Sequence, residues 1–259
     1  MKGKYFIVEV RPTIPSVAAG QHAAFANGDV LFNWHAFDIP RGSAKLIGVS
    51  CDIRPKGNAD LDPNKFPLEL FFAKSRTTAL GQSGRNPTDL GTVNSAVTVP
   101  AFSPDQIMSF VEVVAGDFAD HLDSTTHSHT VPLGGLVFAG NSNNPSAPEQ
   151  GTNVGYDRYY VAGMAGGALD FTSLCRINAG TLDENSFTVD GLDPRKFLTV
   201  GDAIVATTTA DTAVQKSLGV VKTMTGTNIT LEATTENAIL DNDFIYNNAP
   251  IGIRLHFEK

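Results

Sequence analysis

The sequence is poor in cysteine and in charge. Only two cysteines, Cys51 and Cys175, occur in 259 residues, too few for a disulfide framework. Each lies among apolar neighbours, Val49 and Ile53 for one, Leu174 and Ile177 for the other, as an unpaired core thiol does in a chain made in a reducing cytoplasm. Charged residues make up 18% of the chain, below the usual value of about 25%. Lys and Arg gather nowhere, which disfavours nucleic acid as a partner, because neutralising phosphates needs clustered cations. No apolar run approaches the roughly 18 residues of a membrane-spanning helix. The apolar start at Tyr5, Phe6, Ile7 and Val8 is broken by Glu9 and Arg11 before it reaches the length of a secretory signal.

Catalytic signatures are also missing. There is no His-Glu-x-x-His, no Cys-x-x-Cys and no dinucleotide fingerprint. Gly81-Gln82-Ser83-Gly84 lacks the spacing of a nucleophile elbow. The small segment 163–168, GMAGGA, is not followed by the helix start that a phosphate loop needs. Asp60, Asp62 and Asn64 begin like a calcium loop, but Lys65 stands where glycine is required and Phe71 where the bidentate glutamate belongs. Asp190, Asp193, Asp241 and Asp243 read as side chains that accept hydrogen bonds from turn backbone. The expectation is a protein that is not an enzyme and carries no cofactor.

What is abundant is turn-rich β pattern. Hydrophobic residues are 42% of the chain, with 24 glycines and 14 prolines, enough apolar surface for a real core. From Ser186 to the end, short alternating runs at 187–189, 203–206, 218–221, 228–231, 243–246 and 251–257 are punctuated by turn residues, the signature of an all-β unit closing into a small barrel or sandwich. Upstream, 4–10, 29–40, 44–53, 68–73, 156–162 and 169–177 read as strands. Residues 107–114 fit either a helical stripe or a β-branched strand, and the all-β context favours the strand. Residues 54–67, 80–95 and 141–151 read as loops. The pattern divides the chain into an arm at 1–20, a larger unit at 21–180 and a compact unit at 181–259.

Two clusters could carry function. His121, His127 and His129 form the first; on a strand, His127 and His129 share a face and could hold one metal with His121 or Asp123. A cupin-like site needs a glutamate after the pair, and residues 130–135 supply no acid. A His-x-His from each of three chains can also hold a metal on a trimer axis, as in phage spike tips. The plainer reading is three histidines in a polar loop, with no metal. The second cluster is aromatic. Most of the 16 phenylalanines fall inside strands, as core anchors do, whereas Trp34, Tyr156, Tyr159 and Tyr160 could instead form an exposed sugar-binding platform.

Residues 37–47, FDIPRGSAKLI, 70–75, LFFAKS, and 201–205, GDAIV, with 219–221, GVV, resemble virion structural proteins of marine tailed phages, of the capsid decoration or cement type. The resemblance implies a jelly-roll-like β-sandwich followed by a small β-barrel, assembled as homotrimers on the head shell. Its partners would be the major capsid protein and copies of itself. The protein would be made in the host cytoplasm and sit on the outer capsid surface, a position that the net charge of −8 suits. No catalytic residue comes with the family. In such a protein the arm would add a strand to a neighbour, with Tyr5, Phe6, Ile7, Val8 and Ile14 as interface candidates. The alternative is a receptor- or glycan-binding virion appendage.

Overall fold

The computed structural model describes residues 4–17, 20–56, 64–73, 90–97, 107–121, 125–132, 135–138, 155–179, 185–208, 214–235 and 237–259. The low-complexity loop at 141–151 and the Gly81 to Gly84 segment lie outside them, as do Asp60, Asp62 and Asp123. The protein is all-β. Strands β1 (Tyr5–Val10), β3 (Ala44–Ile53), β6 (Phe118–His121), β7 (Thr125–Thr130), β8 (Leu136–Phe138) and β16 (Ile251–Glu258) form one sheet. Its order is β1-β16-β3-β7-β6, with β8 paired to the other half of β3. A second sheet runs β2-β9-β4-β5, from β2 (Val30–Pro40), β9 (Tyr156–Ala165), β4 (Leu68–Ala73) and β5 (Ile107–Val113). The strand reading of 107–113 is therefore the one the fold adopts.

Strand alternation places one face of each sheet in a shared core. β16 buries Ile251, Ile253, Leu255 and Phe257 and turns Gly252, Arg254, His256 and Glu258 outward. Phe37, Phe72, Phe138, Tyr159 and Phe257 meet at the centre; Phe138 lies 4.9 Å from Tyr159 and 5.4 Å from Phe257, edge-to-face in both cases. The second sheet is buried on its outer face as well. There Trp34, Phe71 and Tyr160 pack under Leu90, whose backbone N–H donates to Asn33 Oδ1 at 2.7 Å. The glycine-rich 163–168 segment serves the packing of the shared core, since a Cβ on Gly163 would collide with the Phe32 ring and one on Gly167 with Phe66.

The remaining strands close a six-stranded barrel, β10-β11-β14-β13-β12-β15, built from β10 (Arg176–Asn178), β11 (Ser186–Asp190), β12 (Ala203–Thr207), β13 (Gln215–Met224), β14 (Asn228–Leu231) and β15 (Phe244–Asn247). Phe187, Ile204, Leu218, Val221, Ile229, Leu231 and Ile245 fill it. Closure removes sheet edges. Three of the four aspartates expected in turns accept backbone N–H groups, Asp193 from Arg195, Asp241 from Ala179 and Asp243 from Leu240; Asp190 instead ends β11 opposite Arg176.

Three expectations are corrected. The barrel begins at Arg176, before the expected boundary near 180, and residues 251–258 leave it to pair with β1 and β3 in the sandwich. Of the strand expected over 169–177 only Arg176 and Ile177 are regular, as the start of β10. The segment around His121, His127 and His129, expected as a loop, contains strands β6 and β7. Its inward positions Thr126 and Ser128 are fully buried polar residues, so no apolar alternation marks it.

Candidate functional site

The leading segment is integral to this chain. β1 pairs along its whole length with β16, and Phe6 stacks on Phe257 at 5.2 Å. Of the interface candidates, Phe6 and Val8 pack against the core and Ile14 is fully buried; these three are corrected to core residues, because β1 alternates and its inward set meets the sandwich. Tyr5 and Ile7 stay outward, 67% and 58% exposed. Beyond β1 the chain ties the barrel to the sandwich. Ile14 N–H donates to Asn248 O, Ser16 N–H to Gln215 Oε1, and Gln21 Nε2 to both Ile14 O and Asn247 O. Arg54 Nη2 closes the same junction on Asp202 Oδ1 at 3.1 Å and Thr199 Oγ1 at 2.7 Å.

The richest polar constellation stands on the outer face of the six-stranded sheet. The register sets Asp52 opposite His127 and Ser50 opposite both His129 and Arg254, so these side chains and His256 share one surface. Ser50 Oγ lies 2.9 Å from His129 Nδ1 and 2.9 Å from His256 Nε2, bridging two imidazoles. Gly48 makes the room for them, because a Cβ there would come within 3.0 Å of His129 Cε1. Asp52 Oδ1 is 2.6 Å from His127 Nδ1, and its Oδ2 is paired with Arg254. His127 and His129 thus share a face, as strand geometry requires. His121 ends β6 opposite Thr125 in the register, with its side chain outside the described structure. Among the described residues, no group of three or more His, Cys, Asp or Glu side chains is placed to hold a metal.

Among the described residues, hydroxyl and carboxylate on this face are held by different imidazoles. A nucleophile triad needs one imidazole that touches both hydroxyl and carboxylate. Here the Ser50 hydroxyl meets His129 and His256, while the carboxylate meets His127. Burial pushes both thiols, Cys51 and Cys175, up to about 12, which leaves them protonated and unreactive at neutral pH.

The His256 pKa is held below its ordinary value, first by burial and then by the neighbouring His129, Arg254 and His127. The folded state therefore disfavours protonated His256. An unfolded chain takes up that proton near 6.5, so the folded protein binds fewer protons below this pH and its stability falls as the pH falls. Stability measured by urea unfolding is expected to decline from pH 7 to 5.5, and His256→Gln is expected to flatten that slope. An unchanged slope in the variant would show that the imidazole is not its source.

The proposed sugar platform is corrected too. Tyr159 is fully buried, and Trp34 and Tyr160 are 4% and 5% exposed, because they sit on strands covered on both sides. Of the four aromatics only Tyr156 is exposed. The residues missed in the sequence are structural connectors. Asn64, fully buried, donates to Arg54 O and Asp170 O and accepts from Asp170 N–H. In the sequence it stood out only as part of the calcium-loop-like run that begins at Asp60, which gives no sign of this role.

Large apolar side chains nonetheless remain outside. Phe110, on β5, the outermost strand of that sheet among the described residues, is 59% exposed and lines a cleft of about 450 Å³ with Val111, Glu112, Val131, Pro132 and Leu136. Val131 is 66% exposed. Glu112 opposes Glu69 across the β4–β5 pair, and burial together with this neighbour raises the Glu69 pKa.

Fold and surface together define an all-β protein with a two-sheet sandwich, an inserted closed barrel and a polar, histidine-bearing outer face. Comparison of the chain with protein-family models, with curated proteins and with solved structures finds no match in any of the three.

Proposed function

We propose that this chain is a structural protein of a bacteriophage virion, a capsid decoration or cement protein that binds the head shell and stabilises it through subunit contacts. In this reading it forms homotrimers on the outer capsid surface and turns over no substrate. The observation that carries the reading is the exposure of large apolar side chains on strands at two sheet edges, Tyr5 and Ile7 on β1 and Phe110 on β5. An edge strand offers unpaired backbone groups to a neighbour, and exposed apolar side chains beside it favour an interface. The resemblance of segments 37–47, 70–75 and 201–205 to decoration proteins supplies the particle. Polar residues that might have served chemistry are engaged in holding strands together, as Ser50, Asp52 and Asn64 are.

Phe110→Asp and Ile7→Asp test it. Both positions are exposed, so thermal unfolding is expected to stay within a few degrees of the parent. Binding of the purified variants to particles lacking this protein is expected to fall by tenfold or more, read by co-sedimentation. Undiminished binding of both variants would remove the edge strands from the interface.

A further inference from the structure

Where sandwich and barrel meet, three arginines from three different segments line one small cleft. Arg11 follows β1, Arg54 follows β3 and Arg254 lies on β16; with Asp52, Thr125 and Gly252 they surround about 150 Å³. That is room for a handful of water molecules or one small anion. On a chain of net charge −8, such convergence of like charge is costly unless something offsets it.

Each guanidinium is only partly engaged. Arg11 meets Glu9 through Nε, Arg54 meets Asp202 and Thr199 through Nη2, and Arg254 meets Asp52 through Nη1. Among the described residues the other two nitrogens of each carry no hydrogen bond. Glu9 and Asp202 do not line the cleft. Asp52 does, but its two oxygens are occupied by His127 and Arg254, which offsets its repulsion of an incoming anion. The lining of the cleft therefore carries three cations against one carboxylate, and offers spare N–H donors beside Thr125.

We infer that this cleft binds a small oxyanion of the phosphate or sulfate class, free or as an ester on a larger molecule. The donor arrangement selects the class. A carboxylate has two oxygens and is satisfied by a single guanidinium fork. N–H donors arriving from three separate segments match a tetrahedral anion, whose oxygens point in several directions at once. Arg54 and Arg254 are also held by their carboxylates, so two of the three cations are in place before the anion arrives, which lowers the ordering cost of binding. The inference does not depend on the particle proposed above.

The test uses the full chain at constant ionic strength set with chloride. Sodium sulfate and sodium phosphate are titrated in while backbone amide shifts of Gly252 and Thr125 are followed by NMR. Saturable shifts are expected with at least one of the two ions. Arg11→Gln, whose only partner among the described residues is a solvent-exposed Glu9, is expected to keep the parental melting temperature and to weaken binding by about tenfold. Sodium acetate is expected to compete poorly. Dextran sulfate against plain dextran separates the sources: competition by the sulfated polymer alone assigns an esterified ligand, and competition by neither assigns the free ion. No saturable shift, equal affinity in Arg11→Gln, or equal competition by acetate would overturn the inference.

Discussion

Phe257→Ala is expected to lower the unfolding free energy by about 3–5 kcal/mol, the usual cost of emptying an aromatic core position. Phe257 is fully buried on β16, the strand that returns from the barrel to lie between β1 and β3. Its ring contacts come from both sheets: Phe6 at 5.2 Å, Phe138 at 5.4 Å and Phe37 at 6.4 Å. Removing it leaves a cavity between the two sheets and loosens β16 between β1 and β3. Against a total stability of about 5–15 kcal/mol this is a large share. Urea unfolding followed by the fluorescence of Trp34 measures it, and Phe257→Leu is expected to cost less than half as much. A loss below about 1 kcal/mol would mean that the two sheets do not share this core.

Deleting residues 1–16 is expected to abolish cooperative unfolding. A detachable arm would leave the fold intact, but these residues supply an edge strand paired from Tyr5 to Val10, the Phe6 stack, and the buried side chains of Val10 and Ile14. Ser16 also holds the barrel through Gln215 and Thr207. Losing the inward side chains of Phe6, Val8, Val10 and Ile14 at up to about 3 kcal/mol each exceeds what a marginally stable domain can absorb. Differential scanning calorimetry reads the result directly. A truncated chain that melts cooperatively within a few degrees of the parent would show that the segment is accessory. The paired control is Tyr5→Ser with Ile7→Ser, which touches only the outward positions and is expected to leave the melt unchanged.

Legibility in the sequence followed the hydrophobic pattern. β2, β3, β4, β9 and β16 alternate or run apolar, and their bounds fall close to the stretches read from the residues. β7 did not show itself because Thr126 and Ser128 face the core in place of apolar side chains, with Thr126 satisfied by Asn64 O. The return of β16 to the sandwich was equally invisible. Its alternation fits a barrel strand as well as a sandwich strand, and only the pairing of Phe257 with Phe6 and Leu46 decides between them. The outer polar face was half legible. Period-two geometry put His127 and His129 together, but Ser50, Asp52, Arg254 and His256 join them through long-range register, which no local spacing encodes.

Quantitative mass spectrometry of purified phage particles, with the major capsid protein as internal standard, tests the central claim most directly. Many copies per particle, in constant ratio to the shell protein and released together with loss of head stability, are the predicted result. Absence of the chain from intact particles would contradict it.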